Sequence, residues 1–291
     1  KELNMLGDLK QGVENSAKVG IIFDWDNYWA IEYTIGPNKN LKYVDQIHQY
    51  YRYFYEKKIP VDMIPVDGDF SKYKVVIAPV LYMIKEGMQQ ALESYVEKGG
   101  VLLTGFMSGI VDQSDNVHLG GYPGPLRTLA GIWVEEIDAL APEQSNTLCF
   151  TDGREFTCHL LCDIIHLEGA VSLADYSSNF YASSPAVTKN KFGQGMVYYV
   201  GTQPEQQALD NVLKQVMVSA HVKPLINEET KLEIVCRTNL DKSYYFIINL
   251  TNETLTIPQL IVDKVDILTG NKLTLQSTFA PYDVALLCEN R

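Results

Sequence analysis

The apolar run "KVGIIFD", Lys18 to Asp24, sets the fold class that the sequence predicts. Its residues do not alternate with polar ones, as expected of a strand that is buried on both faces. Three similar runs follow along the chain: Ile59–Asp67, Tyr73–Val80 and Gly100–Phe106. Runs of this kind are typical of a parallel sheet, because its strands are covered on both sides.

Apolar residues at helical spacing lie between the predicted strands. They form two stripes, which consist of Tyr43, Ile47, Tyr50 and Phe54, and of Met88, Leu92 and Tyr95. Gly99 follows the second stripe and is a suitable C-terminal cap. Strands that alternate with helices predict an α/β fold, in which a parallel sheet has helices on both faces.

The pattern after Phe106 is less regular. His118–Arg127 is a loop dense in glycine and proline, Lys191–Thr202 combines a turn with a strand, and a helix is predicted from Pro204. The buried stripe of this helix consists of Leu209, Val212, Leu213 and Val216. We therefore assign residues 18–224 to one α/β domain.

Short strands separated by turn residues replace this pattern after Lys231. The predicted strands are Leu232–Asn239, Tyr244–Thr251, Val265–Gly270, Lys272–Gln276 and Asp283–Glu289. They predict a small all-β domain over residues 231–291. At the other end, residues 1–17 are predicted to form an amphipathic helix, and the missing start methionine suggests a piece of a longer protein.

The charge and the cysteine content limit the kinds of partner and the cellular compartment that the sequence favours. The formal net charge of −12 and the lack of a Lys/Arg cluster argue against a nucleic-acid partner. No apolar run predicts a membrane helix, and the N-terminus lacks an apolar signal core. Five cysteines, an odd number without disulfide spacing, favour the reducing cytoplasm. The 18 tyrosines fit carbohydrate contact or a large subunit interface.

The segment "FDWDNYWAIE", Phe23 to Glu32, resembles a sugar-cleaving site. It contains three acids and two indole rings: Asp24, Asp26, Glu32, Trp25 and Trp29. Glycosidases use paired carboxylates as acid and base, and flat rings stack on sugars. The segment follows the first strand, where ligands of parallel sheets bind, and a continued strand would place Asp24 and Asp26 on one face. Packing of the indoles against another domain or subunit is the favoured alternative, since fold position does not establish function.

The segment "TGFMSG", Thr104–Gly109, follows the fourth strand, where such sheets often carry a nucleophile on a sharp turn. The amidotransferase-like version of this turn has a cysteine, which is missing here. Ser108 has only His118 as an obvious nearby base, so its favoured role is that of a turn former.

A metal or cofactor site is not expected. Cys158, Cys162 and His166 would share one helical face, but paired CxxC spacing is missing, and the residues after Cys162 favour a strand. The sequence also lacks a GxGxxG motif and a Walker motif.

Three features together carry a family resemblance. They are Phe23-Asp24-Trp25 with Trp29 and Glu32, the segment Ser108–Asp112 running into His118–Gly124, and Phe192–Gly195. Over nearly the whole chain, the sequence resembles the non-catalytic part of family 42 glycoside hydrolases, the bacterial β-galactosidases.

This resemblance implies three consecutive parts: a catalytic TIM barrel, a trimerisation domain and a small C-terminal β-sandwich. The trimerisation domain has a flavodoxin-like, class I glutamine amidotransferase-like parallel sheet. The chain resembles the second and third parts, and residues 1–17 would correspond to the tail of the last barrel helix. The two catalytic glutamates belong to the barrel and match no position here. We therefore expect an inactive accessory region whose partners are its own copies in a homotrimer, the barrel and, in the parent enzyme, a β-galactoside.

The candidate contact residues for substrate or interface are Asp24, Trp25, Asp26, Trp29, Glu32, His118, Tyr122 and Arg127. The glycines and prolines of "HLGGYPGPLR" encode one particular loop shape, which either only closes the domain or holds Tyr122 and Arg127 toward a partner. Two rival functions remain. One is a stand-alone carbohydrate-binding module that uses Trp25 and Trp29, and the other, weaker one is an amidotransferase-like enzyme.

Overall fold

The structure is a computed structural model that describes residues 13–34, 36–239 and 241–290. The chain divides into two units. The larger unit contains Lys18–Tyr51 and Met63–Val222. Within the described residues, the smaller unit contains 13–17, 52–62 and 223–290.

The described helices are α1 Trp25–Tyr33, α2 Tyr43–Lys57, α3 Met88–Glu97, α4 Arg127–Ala130 and α5 Gln206–Ser219. Short 3-10 helices cover Phe70–Lys72, Gly124–Leu126 and Gln259–Ile261. Among the described helices, none is both long and apolar enough to cross a bilayer.

The strands of the first half of the chain are β1 Glu14–Asn15, β2 Val19–Ile22, β3 Val61–Ile64, β4 Val75–Ala78, β5 Met83–Ile84, β6 Val101–Gly105, β7 Val111–Asp112, β8 Ile132–Ala139 and β9 Asn146–Phe150. Those of the second half are β10 Glu155–Leu167, β11 Val171–Tyr176, β12 Pro185–Phe192, β13 Gly195–Val200, β14 Thr202–Pro204, β15 Glu233–Thr238, β16 Lys242–Ile248, β17 Leu255–Thr256, β18 Thr278–Phe279 and β19 Val284–Asn290.

The predicted apolar runs form the parallel half of a large sheet. β13, β6, β4 and β2 are successive parallel neighbours, and β3 follows β2. Val19, Val75 and Val101 share one row of this register. Every residue of β2, β4 and β6 is buried, which is why these strands are apolar without alternation.

The predicted helical stripes are also confirmed. All of their members are buried: Tyr43, Ile47, Tyr50 and Phe54 in α2, Met88, Leu92 and Tyr95 in α3, and Leu209, Val212, Leu213 and Val216 in α5. Gly99 has a φ of 104° just after α3, a backbone conformation that suits glycine.

The other half of the large sheet is antiparallel, so the expectation of a parallel sheet holds only in part. β12 runs antiparallel to β13, and the pairs β11–β12, β9–β11, β9–β10, β10–β14 and β8–β10 are antiparallel as well. Short turns connect several of these strands, and a short turn reverses the chain, whereas parallel neighbours need a longer crossover. The protein therefore has a mixed α/β architecture.

The smaller unit contains the expected all-β region. β1, β15, β16 and β19 form an antiparallel sheet, and β17 pairs with β18. Two of the strand predictions were wrong. No strand forms over Val265–Gly270 or Lys272–Gln276, and the two segments share only one isolated bridge, between Val265 and Lys272. The buried carboxylate of Asp266 instead accepts hydrogen bonds from the amide of Leu268 and the hydroxyl of Thr269, which closes a turn.

The helix predicted over residues 1–17 can be compared with the structure only at residues 13–17. Residues 1–12 lie outside the described ranges. Glu14–Asn15 is a strand and not a helix, because its residues pair with Thr238 and Arg237 of β15. Tertiary pairing thus overrides the local helical pattern at this point.

Candidate functional site

The segment that contains Asp24 lies at the carboxyl ends of the parallel strands, together with Ser108 and Lys85. Asp24 follows β2, Ser108 follows β6, and Lys85 follows the short strand β5 beyond β4. Because parallel strands end at the same edge of a sheet, residues from distant parts of the chain meet there. Ligand sites of open α/β sheets are commonly found at this edge.

Asp24 immediately precedes helix α1 and caps its N-terminus. Its Oδ2 accepts hydrogen bonds from the backbone N of Asn27 at 3.1 Å and from the Nδ2 of Asn27 at 2.7 Å. The Oδ1 of Asn27 in turn accepts from the backbone N of Met83 at 2.8 Å. Asp24 is therefore an N-cap that fixes the first turn of α1 and, through Asn27, the position of β5.

Lys85 joins the two acids that the sequence places side by side. Its Nζ lies 2.8 Å from the Oδ1 of Asp24 and 2.6 Å from the Oδ2 of Asp26. Burial lowers the pKa of Lys85, but its hydrogen bonds to both carboxylates raise it, and the net shift is upward. The ammonium thus stays charged and occupies one oxygen of each carboxylate.

The geometry assumed for these acids in the sequence differs from the one observed. A continued strand would place Asp24 and Asp26 on one face, but β2 ends at Ile22 and α1 begins at Trp25. In the structure the two carboxylates share one partner, the ammonium of Lys85.

Three aromatic rings lie along one side of α1, and we call Trp25, Trp29 and Tyr33 the aromatic face. Their exposed fractions are 59%, 51% and 85%. The buried residues of α1 are Asn27 and Ile31, which hold the helix to the rest of the unit. Glu32, the last acid of the segment, pairs with Lys42 at 3.4 Å on the surface.

The glycine-rich loop, residues 118–127, is built against the turn that follows β6. Gly109 has a φ of 65°, and a Cβ there would lie 2.0 Å from the carbonyl oxygen of Pro123. A Cβ on Gly124 would lie 2.4 Å from the carbonyl oxygen of Gly109. Tyr122 and Val134 exchange backbone hydrogen bonds at 3.2 and 2.7 Å. These close approaches leave no room for a side chain at Gly109 or Gly124, and the single shape of the loop stays a prediction.

Two further candidates belong to this loop. The backbone N of His118 donates to the oxygen of Ile110, and its buried Nε2 has no hydrogen-bond partner among the described residues. The Nε of Arg127 donates to Glu168 at 2.6 Å, and its Nη1 donates to the carbonyl of Gly120 at 3.1 Å. The Arg127 guanidinium holds the pKa of Glu168 below its usual value.

Ser108 is buried, as expected of a turn former. Its Oγ accepts from the backbone N of Leu81 at 3.0 Å and lies 2.9 Å from the hydroxyl of Thr104. Met107, one residue earlier, has a φ of 56° and is also buried. The sharp turn is thus present, with an unreactive side chain at its centre.

The helical face suggested for Cys158, Cys162 and His166 does not form, because all three belong to strand β10. Between His159 and Cys162 this strand carries an irregularity in its pairing with β14. His166 lies 2.7 Å from the carboxylate of Glu135. Over residues 13–34, 36–239 and 241–290, no group of three or more His, Cys, Asp or Glu side chains is placed to hold a metal ion.

Sequence reasoning missed three residues of this region: Lys85, Asn27 and Tyr33. The partnerships of Lys85 and Asn27 depend on which strand ends are neighbours, and no local pattern indicates them. Tyr33 could have been found, because it continues the four-residue spacing of Trp25 and Trp29.

Comparison with known proteins covers almost the whole chain. Residues 17–223 match the model of the β-galactosidase trimerisation domain, and residues 231–289 match that of the β-galactosidase C-terminal domain. The β-galactosidase LacZ of Lactobacillus acidophilus is 46% identical over 273 residues, which are 94% of this chain and 41% of that protein.

Solved structures agree with these matches. The β-galactosidase from Bacillus circulans sp. alkalophilus superposes with a TM-score of 0.94 and 41% identity, over 99% of this chain and 43% of that one. The β-galactosidase from Rahnella sp. R3 has a TM-score of 0.85 and 35% identity, over 96% and 42%. The chain thus spans about two fifths of the length of these relatives. It belongs to the family 42 β-galactosidases, whose trimerisation domain it contains at residues 17–223 and whose C-terminal domain it contains at residues 231–289.

Proposed function

We propose that this chain is the oligomerisation and accessory region of a β-galactosidase that hydrolyses terminal β-galactosides. In this proposal a separate barrel domain supplies both catalytic glutamates, and this chain assembles and shields the site. The supporting observation is that Asp24 and Asp26, the acids that resemble a glycosidase pair, share the ammonium of Lys85. Asp24 also serves as a helix cap.

The finer architecture belongs to the same proposal. We propose an amidotransferase-like, flavodoxin-like core over residues 18–224 and a small β-sandwich over 231–291. Support for the core comes from the parallel half of the sheet and from the sharp turn at Met107, whose φ of 56° resembles that of a nucleophile turn although Met107 cannot act as a nucleophile. The cytoplasmic location also remains a prediction.

The assembled state in this proposal is a homotrimer. Light scattering on the 291-residue chain at micromolar concentration tests it, and we expect three times the mass of one chain. A chromogenic β-galactoside should show only background turnover with the same sample. Turnover that is lost on Asp24→Asn or Asp26→Asn would overturn the accessory role.

A second candidate function is carbohydrate binding by Trp25 and Trp29. The observation in its favour is that both indoles are more than half exposed and lie next to carboxylates. Titration with galactose or lactose, followed by tryptophan fluorescence, separates the two functions. A saturable change that disappears in Trp25→Ala and Trp29→Ala would favour the binding module.

A further inference from the structure

A surface pocket of about 570 Å³ in the larger unit is basic, although the chain as a whole is acidic. Arg154, Lys189 and Lys214 line it, together with one acid, Asp152. Three positive charges and one negative charge give the lining a formal charge of +2, whereas the whole chain carries −12. Because a concave surface with one sign of charge concentrates ions of the opposite sign, the pocket can attract an anion in spite of the acidity of the chain.

Three distant parts of the chain build this pocket. Arg154 lies in the turn between β9 and β10, and Lys189 lies on β12. Helix α5 contributes Asn211, Lys214 and Val218, whose spacing of three and seven residues places them on one face of the helix. All of these residues belong to the larger unit, so that this unit forms the pocket by itself.

Contacts within the pocket hold two of the basic side chains in place. The Nζ of Lys189 lies 5.5 Å from the centre of the ring of Tyr198, which is buried. The Nη2 of Arg154 donates to the Oδ2 of Asp152 at 2.6 Å and to the Oδ1 of Asn211 at 2.5 Å. Side chains that are already ordered lose less freedom when a ligand binds, which favours binding.

The pocket also contains a buried donor that lacks an acceptor. Asn211 is only 7% exposed, and its Nδ2 has no hydrogen-bond partner among the described residues. Because its Oδ1 accepts from Arg154, the hydrogen-bond network identifies which end of the amide is the nitrogen. A buried donor without a partner is costly, and an oxygen that approaches Asn211 from the pocket would supply the missing acceptor.

The charge and the size of the pocket indicate the class of ligand. In the part of the chain that the structure describes, Lys189 and Lys214 form no ion pair with a carboxylate. A dianion would balance the +2 lining, whereas a carboxylate group supplies only one negative charge. Phosphate carries this charge on several acceptor oxygens, and guanidinium and ammonium groups are its usual protein ligands. The volume of about 570 Å³ is in the range of small-molecule sites.

From these observations we propose that this pocket is an anion site, in which Arg154, Lys189, Lys214 and the amide of Asn211 bind the phosphate group of a small molecule. The inference goes beyond the proposed accessory role and does not depend on it. It is carried by the uncompensated lysines and by the buried donor of Asn211.

Isothermal titration calorimetry of the 291-residue chain tests the site. The probes are inorganic phosphate, phenyl phosphate and acetate, at one ionic strength and in a buffer without phosphate. We expect saturable binding of the phosphate compounds and about tenfold weaker binding of acetate, which has one charge and fewer acceptor oxygens. Tighter binding of phenyl phosphate would identify a phosphate monoester as the ligand, and tighter binding of inorganic phosphate would identify the free ion.

The double variant Lys189→Ala/Lys214→Ala should weaken phosphate binding by about tenfold, as expected for the loss of two partly exposed charge pairs. Lys39→Ala/Lys72→Ala is the matched control. It removes the same charge from two exposed positions of the same unit that do not line the pocket, and it should leave the dissociation constant unchanged.

Asn211→Asp tests the buried donor. The variant keeps an acceptor for Arg154 but replaces the amide nitrogen by a carboxylate oxygen, so that phosphate binding should be lost. An unchanged thermal unfolding transition would show that this loss is not misfolding. If the variant does not fold, the lysine variants still decide the question, because they alter side chains at the surface of the unit.

The outcomes separate a built site from chance binding. Loss of affinity in Lys189→Ala/Lys214→Ala but not in Lys39→Ala/Lys72→Ala supports the inference. Equal phosphate binding by the parent chain and all variants would indicate an adventitious ion only and would overturn it. Acetate binding as tight as that of phosphate, or no saturable binding of either phosphate compound at millimolar concentration, would overturn it as well.

Discussion

The Nζ of Lys85 lies 2.8 Å from the Oδ1 of Asp24, although the two residues are 61 positions apart in the sequence. This contact converts an apparent catalytic carboxylate into a structural one. Asp24 offers its other oxygen, Oδ2, to the first turn of α1. The position that resembles an active site therefore helps to orient the helix that carries the exposed aromatic rings.

Lys85→Ala should lower the free energy of unfolding by about 1–3 kcal/mol. The substitution leaves the nearly buried carboxylate of Asp24 without its ammonium, and such a loss is expensive. Urea unfolding measures the change. Lys42→Ala is the control, because its pair with Glu32 is more exposed and should contribute less than about 1 kcal/mol. Equal losses in the two variants would contradict the role of Lys85.

Gly109→Ala should destabilise the larger unit by about 2–5 kcal/mol, which combines a strained φ with the displacement of a neighbouring backbone. The new Cβ would lie 2.0 Å from the carbonyl oxygen of Pro123. Gly87→Ala is matched in backbone, with a φ of 78°, but a Cβ there meets nothing within 4 Å. Its cost should be only about 1–2 kcal/mol. Thermal and urea unfolding of both variants would show whether the close approach to Pro123 matters.

Asp163 should make the protein less stable as the pH rises. Burial raises the pKa of Asp163 to about 8, against an opposing hydrogen bond from Tyr199. Between the usual pKa of 3.8 and about 8, the folded state holds one proton more than the unfolded state. This proton stabilises the folded state fully below pH 3.8. As the pH rises from 3.8 to about 8, the free energy of unfolding falls by up to about 1.4 kcal/mol per pH unit.

Asp163→Asn isolates this effect, since the amide can still accept from Tyr199 but does not titrate. We expect the unfolding free energy of the variant to fall less steeply than that of the parent chain between pH 5 and pH 8. Asp175→Asn is the control, because this carboxylate is not fully buried. Parallel pH profiles for the parent chain and Asp163→Asn would rule out a neutral Asp163.

Arg127→Ala should change the free energy of unfolding very little, because Arg127 and Glu168 are each more than a third exposed and solvent screens their pairing. If the glycine-rich loop contacts a second copy of the chain, self-association measured by light scattering should be weaker in both Arg127→Ala and Tyr122→Ala. Arg154→Ala, which breaks a comparable exposed pair with Asp152, is the control. A large loss of stability with unchanged association would assign the loop a purely structural role.

Much of the fold could be predicted because its signals are local. The parallel strands are unbroken apolar runs in the sequence, and α2, α3 and α5 each have apolar residues at helical spacing. The antiparallel strands β8 to β12 were harder to recognise, because they are only partly buried and their patterns are interrupted. β10, for example, passes an irregularity in which Leu160 has a φ of 73°.

The candidate site divides in the same way. The acids and indoles of α1 are evident in the sequence, as is the unusual loop at residues 118–127. The hydrogen-bond partners of these side chains are not evident, because the residues next to a carboxylate in the sequence do not indicate which cation it will pair with. The contact between Lys85 and Asp24 depends on the tertiary arrangement in which β2 pairs with β4.

The amino-acid order alone therefore established the family, the buried strands and helices, and the presence of acids beside indoles after the first strand. Periodic burial and glycine or proline conformations are properties of neighbouring residues, and they can be recognised without a structure. Tertiary packing determined that Lys85 binds both acids, that Gly109 and Gly124 meet backbone to backbone, and that Trp25, Trp29 and Tyr33 remain in solvent. The first two are relations between residues that lie apart in the chain, and the tertiary fold brings them within a few ångströms of each other. The exposure of the three rings depends on which face of α1 packs against the rest of the unit.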